Sequence, residues 1–374
     1  MLKYRIGDTY HRGDKMALLK DLIVEITKRN NEGKELPLLG VNKDKEFMPS
    51  VANVIGTDLS NYKIIKKRQF ATNLMHVDRD ELVPVSMLED YDEALISPAY
   101  NVFQVKDEKI VIPEYLLLCF KRSEFDRCAW FYSGSSIRGN LDYKKFLEID
   151  IPLPDIDKQK KIIYDYKAIQ KEIRIKEAIN NNLLEQCNVF FKEKIINQFK
   201  EQHNNGVWKS EELCDICTIK YGKGLSTEEL LETGYPVYGG NGLIGYYSNY
   251  LYDDYKVIIS CRGAASGKVQ FSIPYSFVTS NSLVLNINKK QISFYYLLFM
   301  CQNIDFSIKV TGSAQPQLTV DNLNGIKIII PDKQTYELVD NYLKKLFNSY
   351  VIYQKEIESL NKLQKILITK LAQQ

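Results

Sequence analysis

Two long segments of the chain carry apolar residues at steps of three and four positions. One follows Pro154 and the other follows Pro331, and neither contains glycine or proline beyond its start. This spacing predicts two long amphipathic helices, each with one narrow apolar seam. A seam this narrow cannot bury itself alone, so we expect the two helices to pair antiparallel. The seam residues expected to pair are Ile162, Ile169, Ile173, Leu183, Leu346, Ile357, Leu360 and Leu367.

Both predicted helices begin beside an aspartate. Asp155 and Asp332 stand where a carboxylate accepts hydrogen bonds from the free N–H groups of a helix start and meets the positive end of the helix dipole. About forty residues at 1.5 Å each give a rod on the order of 60 Å, long enough to hold two globular domains apart. The alternative is two unrelated helices that each pack on their own domain.

The two halves of the chain share an ordered series of short patterns, which is typical of an internal duplication. With one single-residue gap, Leu141 aligns with Leu318 and Pro154 aligns with Pro331. The aligned segments are 94–105 with 276–287, 112–120 with 293–301, and 134–162 with 312–339.

Between the long helices, the chain alternates short apolar runs with glycine-rich turns, as mixed α/β domains do. Strands are expected at 99–105, 257–260, 282–287 and 326–330, and short helices at 112–122 and 292–302. We therefore predict an α+β protein: two mixed α/β domains in tandem, each followed by a long helix, with a pseudo-twofold internal repeat. The expected boundaries are 1–154 for the first domain, 155–201 for the first long helix, 202–331 for the second domain and 332–374 for the second long helix.

Charge and composition exclude several classes of protein. The net charge is +3 and is evenly spread, since residues 1–154 contain 23 Lys+Arg and 24 Asp+Glu, and residues 202–331 contain 10 of each. A protein that held DNA by phosphate neutralisation alone would be more basic, so local clusters or a partner must supply part of any affinity for DNA. No apolar run is long enough to span a membrane, and the first residues lack a secretion signal. Seven scattered cysteines are typical of a reducing compartment, so we expect a cytoplasmic protein with no membrane contact.

Three stretches match enzyme motifs only in part. Gly240–Gly245 fits G-x-G-x-x-G, but the aromatic turn-like residues after it do not predict the helix that a dinucleotide site needs. Arg262–Val269 has the wrong glycine spacing for a nucleotide phosphate loop, although its small residues and cations suit a different phosphate contact. Cys214 and Cys217 lack further zinc ligands nearby, and we expect both on a strand as apolar cysteines.

Catalytic constellations are also missing from the sequence. The three histidines are far apart, no carboxylate cluster beside a lysine indicates a nuclease, and the N-P-P-[YF] tetrapeptide of amino-methyltransferases does not occur. We therefore expect a non-catalytic chain that holds no cofactor.

Basic, amide and aromatic residues on predicted turns are the candidates for DNA contact, because such side chains pair with base edges and phosphates. The alternative for each is an ordinary solvated surface residue. In the second domain we expect the turn 262–268, Tyr238, Asn241 and the loop 312–317 to line one DNA-facing groove; alternatively the glycines only serve tight turns and Gln315 is a buried hinge. The candidates are Lys66, Lys67, Arg68, Asn73, Arg79 and Arg138 in the first domain, and Lys220, Lys223, Tyr238, Asn241, Arg262, Lys268, Gln315 and Gln317 in the second. Lys43 and Lys45 belong to the same group of basic residues on predicted turns of the first domain.

Several segments taken together resemble a known family. They are YPVYGGNGLIGYYSNYLYD (235–253), VIISCRGAASGKV (257–269), GSAQPQL (312–318), the junctions IPLPDIDKQKKI (151–162) and IIIPDKQTYELV (328–339), and in the first half FATNLMHVDRDELVPVS (70–86) and ALISPAYNVFQV (94–105). In this order they resemble the DNA specificity subunit of type I restriction-modification systems over essentially the whole chain. The first half departs from the pattern, because GSSIRGNL stands where the second half has GSAQPQL and leaves Gln315 without a counterpart.

The resemblance implies that each domain is a target-recognition domain for one half of a bipartite DNA sequence. The long helices would fix the distance between the half-sites and dock methyltransferase subunits, two for each specificity subunit. Restriction and translocase subunits would complete the complex, and these partners would use S-adenosylmethionine, ATP and magnesium. Two alternatives remain: a fused modification enzyme, disfavoured by the missing tetrapeptide, and a duplicated protein- or carbohydrate-binding scaffold, which fits the aromatic turns but not the spaced basic loops.

Overall fold

A computed structural model describes residues 15–50, 58–75, 77–134, 140–201, 207–288, 292–312 and 314–372. The described residues up to Arg174, together with those from Ile357 onward, form the first compact unit. Ile175–Glu356 form the second. Each long helix therefore contributes residues to both units.

The first unit contains two four-stranded sheets, one two-stranded ribbon and several short helices. In chain order its elements are β1 (Met16–Leu18), α1 (Leu19–Leu22), β2 (Ile23–Ile26), β3 (Leu38–Val41), β4 (Phe47–Pro49), β5 (Lys63–Lys66), β6 (Phe70–Thr72), α2 (Val77–Asp80), β7 (Val85–Met87), β8 (Glu93–Ile96), β9 (Asn101–Val105), α3 (Pro113–Phe120), α4 (Ser123–Ser133), α5 (Tyr143–Phe146), β10 (Asp150–Pro152) and the start of α6 (Ile156–Phe191).

The second unit repeats this plan with a four-stranded sheet, a three-stranded sheet and a two-stranded ribbon. After the rest of α6 and a π-helical stretch at Lys192–Asn197, its elements are α7 (Gln198–Glu201), β11 (Lys209–Glu212), α8 (Leu213–Ile216), β12 (Cys217–Tyr221), β13 (Tyr235–Gly239), β14 (Gly242–Tyr247), β15 (Lys256–Ser260), β16 (Val269–Ser272), β17 (Phe277–Val278), β18 (Ser282–Ile287), α9 (Phe294–Gln302), β19 (Lys327–Ile330) and most of α10 (Lys333–Thr369).

The sheet order confirms the predicted duplication. The first unit has a sheet β2-β9-β6-β7 and the second has β12-β18-β15-β16, with equivalent strands in equivalent places. In the remaining larger sheet of each unit, an antiparallel hairpin (β3–β4 or β13–β14) pairs in parallel with a later strand (β8 or β17). Each unit also pairs its first strand antiparallel with the strand before its long helix.

One hydrogen bond recurs in both units, at positions that the sequence alignment matches. The Tyr115 hydroxyl donates to the Pro152 carbonyl and the Tyr296 hydroxyl donates to the Ile329 carbonyl, both at 2.9 Å. Both tyrosines are fully buried in the core of their own unit. Since a buried hydroxyl without a partner is costly, each tyrosine fixes its short helix against the strand that leads into the long helix.

The long helices begin where the sequence predicts. The Asp155 carboxylate accepts from the Lys158 N–H at 2.9 Å, and the Asp332 carboxylate accepts from the Thr335 N–H at 3.0 Å. The Asp332 carboxylate also accepts from Trp208 Nε1 at 3.1 Å. Hydrogen bonds from Thr335 hold the pKa of Asp332 below its usual value.

The two long helices pair antiparallel, as predicted. In the second unit the Lys176 ammonium lies 2.6 Å from the Glu356 carboxylate, and the Phe190 and Tyr342 rings stack at 4.0 Å. Residues further along α6 therefore contact residues earlier along α10, as antiparallel helices do. In the first unit, the early residues of α6 share one apolar cluster with the last turns of α10.

The predicted seam residues are all buried or half-buried. Ile162, Ile173 and Ile357 are buried; the half-buried ones are Ile169, Leu183, Leu346, Leu360 and Leu367. The prediction missed Leu343 and Phe347, which are fully buried in the core of the second unit and follow Val339 at four-residue steps.

One segment differs from its prediction. Leu213–Ile216 forms a helical turn, and the strand starts only at Cys217, so Cys214 lies outside the strand expected for it. Leu213 and Ile216, three residues apart, are both buried, and this is helical spacing rather than the alternation of a strand. None of the helices among the described ranges is apolar over a length that would cross a membrane.

Candidate nucleic-acid interface

Three turns of the second unit meet at one end of its sheets. They are residues 239–242 between β13 and β14, 261–268 between β15 and β16, and the loop 311–317. The Gly263 N–H donates to the Pro316 carbonyl at 3.0 Å, and the Leu318 N–H donates to the Cys261 carbonyl at 3.0 Å. These main-chain bonds hold the second and third turns side by side, as the sequence predicts.

Buried polar side chains attach the first turn to the other two. The Gln270 amide donates to the Gly240 carbonyl at 2.8 Å and to the Ser260 hydroxyl at 3.0 Å. The Ser260 hydroxyl, which is fully buried, also donates to the Gly240 carbonyl. Asn241, the next residue, therefore sits on a turn whose position is fixed from below.

We call the exposed side chains of these turns the turn face. Their shared property is that none makes a hydrogen bond or ion pair with any residue in the described ranges. The turn face consists of Asn241, Arg262, Lys268, Gln315 and Gln317. Gln315 is exposed, so it is not a buried hinge. The two cations and three amides of the turn face supply the donors and acceptors that phosphates and base edges require.

The remaining candidates of the second unit lie near the turn face. Lys223 is exposed, and its carbonyl accepts from the Ser280 N–H at 3.1 Å. Lys220 is exposed on β12, three residues earlier. Tyr238 is half-buried and packs against a small apolar cluster that includes Ile258, so its ring supports the turn from within.

Glycine serves the turn geometry at Gly312. Its φ is +86°, and a Cβ there would lie 2.6 Å from the Gln315 carbonyl oxygen, a distance that no side chain tolerates. This favours the view that the glycine closes the loop. Gly263 has φ +73° and nothing within 4 Å of its missing Cβ, so this part of the turn is open.

The first unit has an equivalent arrangement around the turn between β6 and β7. The Leu141 N–H donates to the Leu74 carbonyl at 3.0 Å, which matches the bond from Leu318 in the second unit. Asn73 and Arg79 belong to this turn, where the Asn73 side chain accepts from the Met75 N–H at 3.0 Å. Arg138 lies outside the described residues.

The Asp80 carboxylate forms ion pairs with two cations at this equivalent turn. The Arg79 guanidinium lies 2.9 Å from the Asp80 carboxylate, which the Lys43 ammonium also approaches at 3.0 Å. Hydrogen bonds from Arg79 and then from Lys43 lower the pKa of Asp80 well below its usual value. A phosphate would have to compete with this carboxylate for both cations.

Lys66, Lys67 and Arg68 stand at the other end of strand β6 from Asn73. Lys66 lies 3.6 Å from Glu93, and Arg68 contacts Glu108 at 2.9 Å and Glu114 at 3.1 Å. The Lys67 side chain is exposed and makes no such contact with the described residues. The structure therefore does not bring these three residues together with Asn73 and Arg79.

Lys45 is not a surface residue, so its interpretation as a DNA contact is wrong. Its side chain is 7% exposed, and its ammonium lies 2.7 Å from the Asp126 carboxylate. It also donates to the Phe120 carbonyl at 2.5 Å. Burial lowers the pKa of the Lys45 ammonium, while the carboxylate within contact distance compensates its charge.

The enzyme-like motifs have structural roles in this fold. Gly240–Gly245 occupies the β13–β14 hairpin and no helix follows it, so it lacks the geometry of a dinucleotide site. Cys214 and Cys217 are free thiols. Across the described part of the chain, no group of three or more His, Cys, Asp or Glu residues is placed to hold a metal ion.

Known specificity subunits of type I restriction systems are similar to this chain in sequence or in fold. A specificity subunit of the type I restriction enzyme EcoprrI from Escherichia coli is 24% identical over 233 residues, which cover 58% of this chain and 57% of that subunit. The MjaIX specificity subunit from Methanocaldococcus jannaschii is 24% identical over 297 residues, covering 70% and 68%. The S subunit of a type I restriction-modification system from M. genitalium has a similar fold, with a TM-score of 0.52 and 16% identity over 98% of this chain and 97% of that one.

The family model for the type I restriction modification DNA specificity domain matches the chain twice. The matched residues are 42–185 and 205–362, so each match contains most of one globular domain and part of a long helix. The two matches agree with the duplicated topology. Since they cover most of the chain, it belongs to the family of type I restriction-modification DNA specificity domains, of which it carries two copies.

Proposed function

We propose that the chain is a non-catalytic specificity subunit that recognises a bipartite target in double-stranded DNA, one half-site for each domain. The observation that carries this proposal is the turn face. Two cations and three amides stand there exposed, with no hydrogen-bond or ion-pair partner among the residues that the structure describes, on turns whose main chain is fixed by hydrogen bonds. The main chain of such a surface is already in place for contact with DNA, so binding would have to order the side chains but not the turns.

Cations and amides would contribute differently. Arg262 and Lys268 would contact phosphates and release counterions, which supplies affinity without sequence preference. Gln315, Gln317 and Asn241 would contact base edges, where an amide offers a donor and an acceptor to one base. Gly263, with open space above its backbone, would allow a phosphate to approach the main chain.

The antiparallel helices would set the spacing between half-sites and dock the methyltransferase subunits, two for each chain. Restriction and translocase subunits would join that complex in the cytoplasm. Catalysis, and with it the use of S-adenosylmethionine, ATP and magnesium, would belong to those partners.

Salt titrations of DNA binding test the turn face. The chain would be assembled with its methyltransferase partners, and binding measured on a duplex containing the target mapped from methylated bases of the host genome. Lys268→Ala should weaken binding to all duplexes alike and reduce the salt slope by about one unit. Gln315→Ala should leave the slope unchanged and cost about 1–3 kcal/mol at one base position. Lys327→Ala, an exposed lysine on β19, is the matched control.

A second arm tests whether the domains act separately. Replacing residues 202–331 with the equivalent segment of another family member should change one half of the methylated sequence. Unchanged affinity, salt slope and methylation pattern in both Lys268→Ala and Gln315→Ala would exclude the turn face from DNA contact. A swap that altered both halves of the target would contradict separate recognition.

A further inference from the structure

Three tyrosine rings form an exposed ladder on the second unit. The centres of the Tyr235 and Tyr250 rings are 5.0 Å apart and those of Tyr250 and Tyr275 are 5.2 Å apart, each pair edge-to-face. The three residues keep 39%, 42% and 53% of their surface exposed. Exposed aromatic rings in contact with one another are uncommon on surfaces that face only water.

The backbone holds this ladder in place. Tyr235 lies on β13, and the Leu251 N–H beside Tyr250 donates to the Ser276 carbonyl at 2.9 Å. Tyr275 has φ +58°, a left-handed conformation that is costly for a bulky residue. Such strain persists where the surrounding structure imposes it, often at binding sites.

The chain segment that carries Tyr235 and Tyr250 is acidic, and the lysine that follows it, Lys256, is already paired with Asp254. Residues 225–255 contain five Asp and Glu but no Lys or Arg. Glu232 and Asp253 each stand three residues from a ring of the ladder, which limits the Cα separation to about 11 Å. Both are exposed, and within the described ranges neither carboxylate has a hydrogen-bond or ion-pair partner. We call the three tyrosines with Glu232 and Asp253 the acidic aromatic patch.

The patch is distinct from the turn face. In the β13–β14 hairpin, Tyr235 pairs with Tyr247 at one end, whereas Gly239 pairs with Gly242 at the other. The turn face begins at this second end. Carboxylates repel phosphates, so the patch does not suit DNA, and the proposed DNA-binding function leaves it without a role.

We propose that the acidic aromatic patch binds an arginine- or lysine-bearing segment of a partner protein. A guanidinium or ammonium group would lie on the faces of the tyrosine rings and form charge-assisted hydrogen bonds with Glu232 and Asp253. Arginine suits the site best, since its planar group stacks on aromatic rings and pairs with carboxylates at the same time.

The same combination already occurs nearby within the chain. The Lys256 ammonium lies 5.6 Å from the centre of the Tyr252 ring and 2.9 Å from the Asp254 carboxylate. One tyrosine and one aspartate of this segment thus already hold a cation, and the patch offers three rings and two carboxylates to an incoming one.

Peptide binding to the full-length chain tests the proposal. The probe is a fluorescent eight-residue peptide in which arginine alternates with serine and glycine, compared by anisotropy with the same peptide carrying citrulline in place of arginine. Citrulline keeps the shape but lacks the charge, and its peptide should bind at least tenfold more weakly. The double substitution Glu232→Gln with Asp253→Asn, and separately Tyr250→Ala, should each weaken arginine-peptide binding at least fivefold.

Two controls separate the patch from general attraction. Tyr164→Ala removes a tyrosine that is 73% exposed on α6 in the first unit, and Lys268→Ala changes the turn face; both should leave peptide affinity unchanged. The Gln and Asn substitutions keep the size of the side chains, so their result does not depend on a disturbed fold.

Equal affinity for the arginine and citrulline peptides would overturn the proposal, as would unchanged binding in the Glu232→Gln, Asp253→Asn double variant. If the patch variants instead lost affinity for a double-stranded DNA oligonucleotide, the surface would belong to the DNA interface and a protein partner would be excluded. None of these outcomes depends on whether the turn face binds DNA.

Discussion

Removing the carboxylate of Asp126 should destabilise the first unit by about 4–8 kcal/mol. Both carboxylate oxygens lie 2.7 Å from the Lys45 ammonium, and one of them accepts from the Val83 N–H at 3.0 Å. Asp126→Ala leaves the ammonium with a single acceptor, the Phe120 carbonyl. Breaking a buried pair by removing one partner costs about 3–5 kcal/mol, and an unpaired N–H group adds roughly 1–3 kcal/mol if water does not reach it.

The double variant Lys45→Met with Asp126→Leu separates the two contributions. An apolar pair of similar volume removes both charges, and such replacements are often neutral. The Val83 N–H and the Phe120 carbonyl then both lose their partners, and the lost carbonyl bond offsets part of the gain by roughly 1–3 kcal/mol. We therefore expect the double variant to be more stable than Asp126→Ala by about 2–3 kcal/mol.

Urea denaturation followed by tryptophan fluorescence measures these differences. The chain has two tryptophans, and Trp130 lies on α4, the same helix as Asp126. A Trp208→Phe background removes the signal from the second unit, so that the first unit can be followed alone. An Asp126→Ala variant with the same urea midpoint as the parent protein would refute the reasoning. A double variant that is no more stable than Asp126→Ala would also refute it.

Three further predictions concern other parts of the fold. Asp332→Ala should lower the free energy of unfolding by about 1 kcal/mol, because a helix cap is lost. The pKa of Asp332 is lowered in the folded state, so this stabilisation is present above the ordinary aspartate pKa and disappears as the pH falls through the folded-state pKa. Denaturation at several pH values would detect this dependence. Gly222→Ala places a Cβ 2.3 Å from the Thr279 carbonyl oxygen and should cost about 1–3 kcal/mol in thermal unfolding, whereas Gly224→Ala, with nothing within 4 Å, should be nearly neutral; equal losses would contradict this account. Asn180→Leu should raise the thermal midpoint, since Asn180 is buried and its side-chain oxygen has no partner among the described residues. The same change should permit other registers between the two helices, which a broader, less cooperative thermal transition would reveal; a lower midpoint would exclude this role.

Local sequence patterns predicted the parts of the fold that local physics determines. The proline and aspartate before each long helix mark its start, because the cap and the first turn lie within four residues of each other. The strands at 282–287 and 326–330 follow from continuous apolar runs between turn residues, and the observed β18 and β19 agree with them. The repeat was visible because both copies keep the same apolar positions in the same order.

Contacts between distant parts of the chain could not be predicted in this way. Lys45 pairs with Asp126, 81 residues away, and a lone lysine in a turn carries no local mark of burial. Which end of β6 lies beside the equivalent turn depends on how the strands pair, and the three residues of this strand do not determine that pairing. The sequence therefore predicts Lys66–Arg68 and Asn73 together as DNA contacts, although they lie at opposite ends of the strand. Gln270 was missed as support for Asn241 because a single glutamine on a strand gives no sign that its amide contacts Gly240.

The two domains share a frame but differ in the charges that the frame presents. In both domains, the main-chain N–H of a loop leucine (Leu141 or Leu318) donates a hydrogen bond that fixes the loop against the neighbouring turn. The exposed side chains take no part in this bond. In the first unit Arg79 is already paired with a carboxylate, so a phosphate contact there must replace an existing ion pair and yields a smaller net gain. In the second unit Arg262 and Lys268 have no acidic partner among the described residues, so the full electrostatic gain is available. Because the main-chain bonds do not involve these side chains, the side chains can change while the turns keep their positions. Under the proposed function, this would allow one frame to recognise different bases.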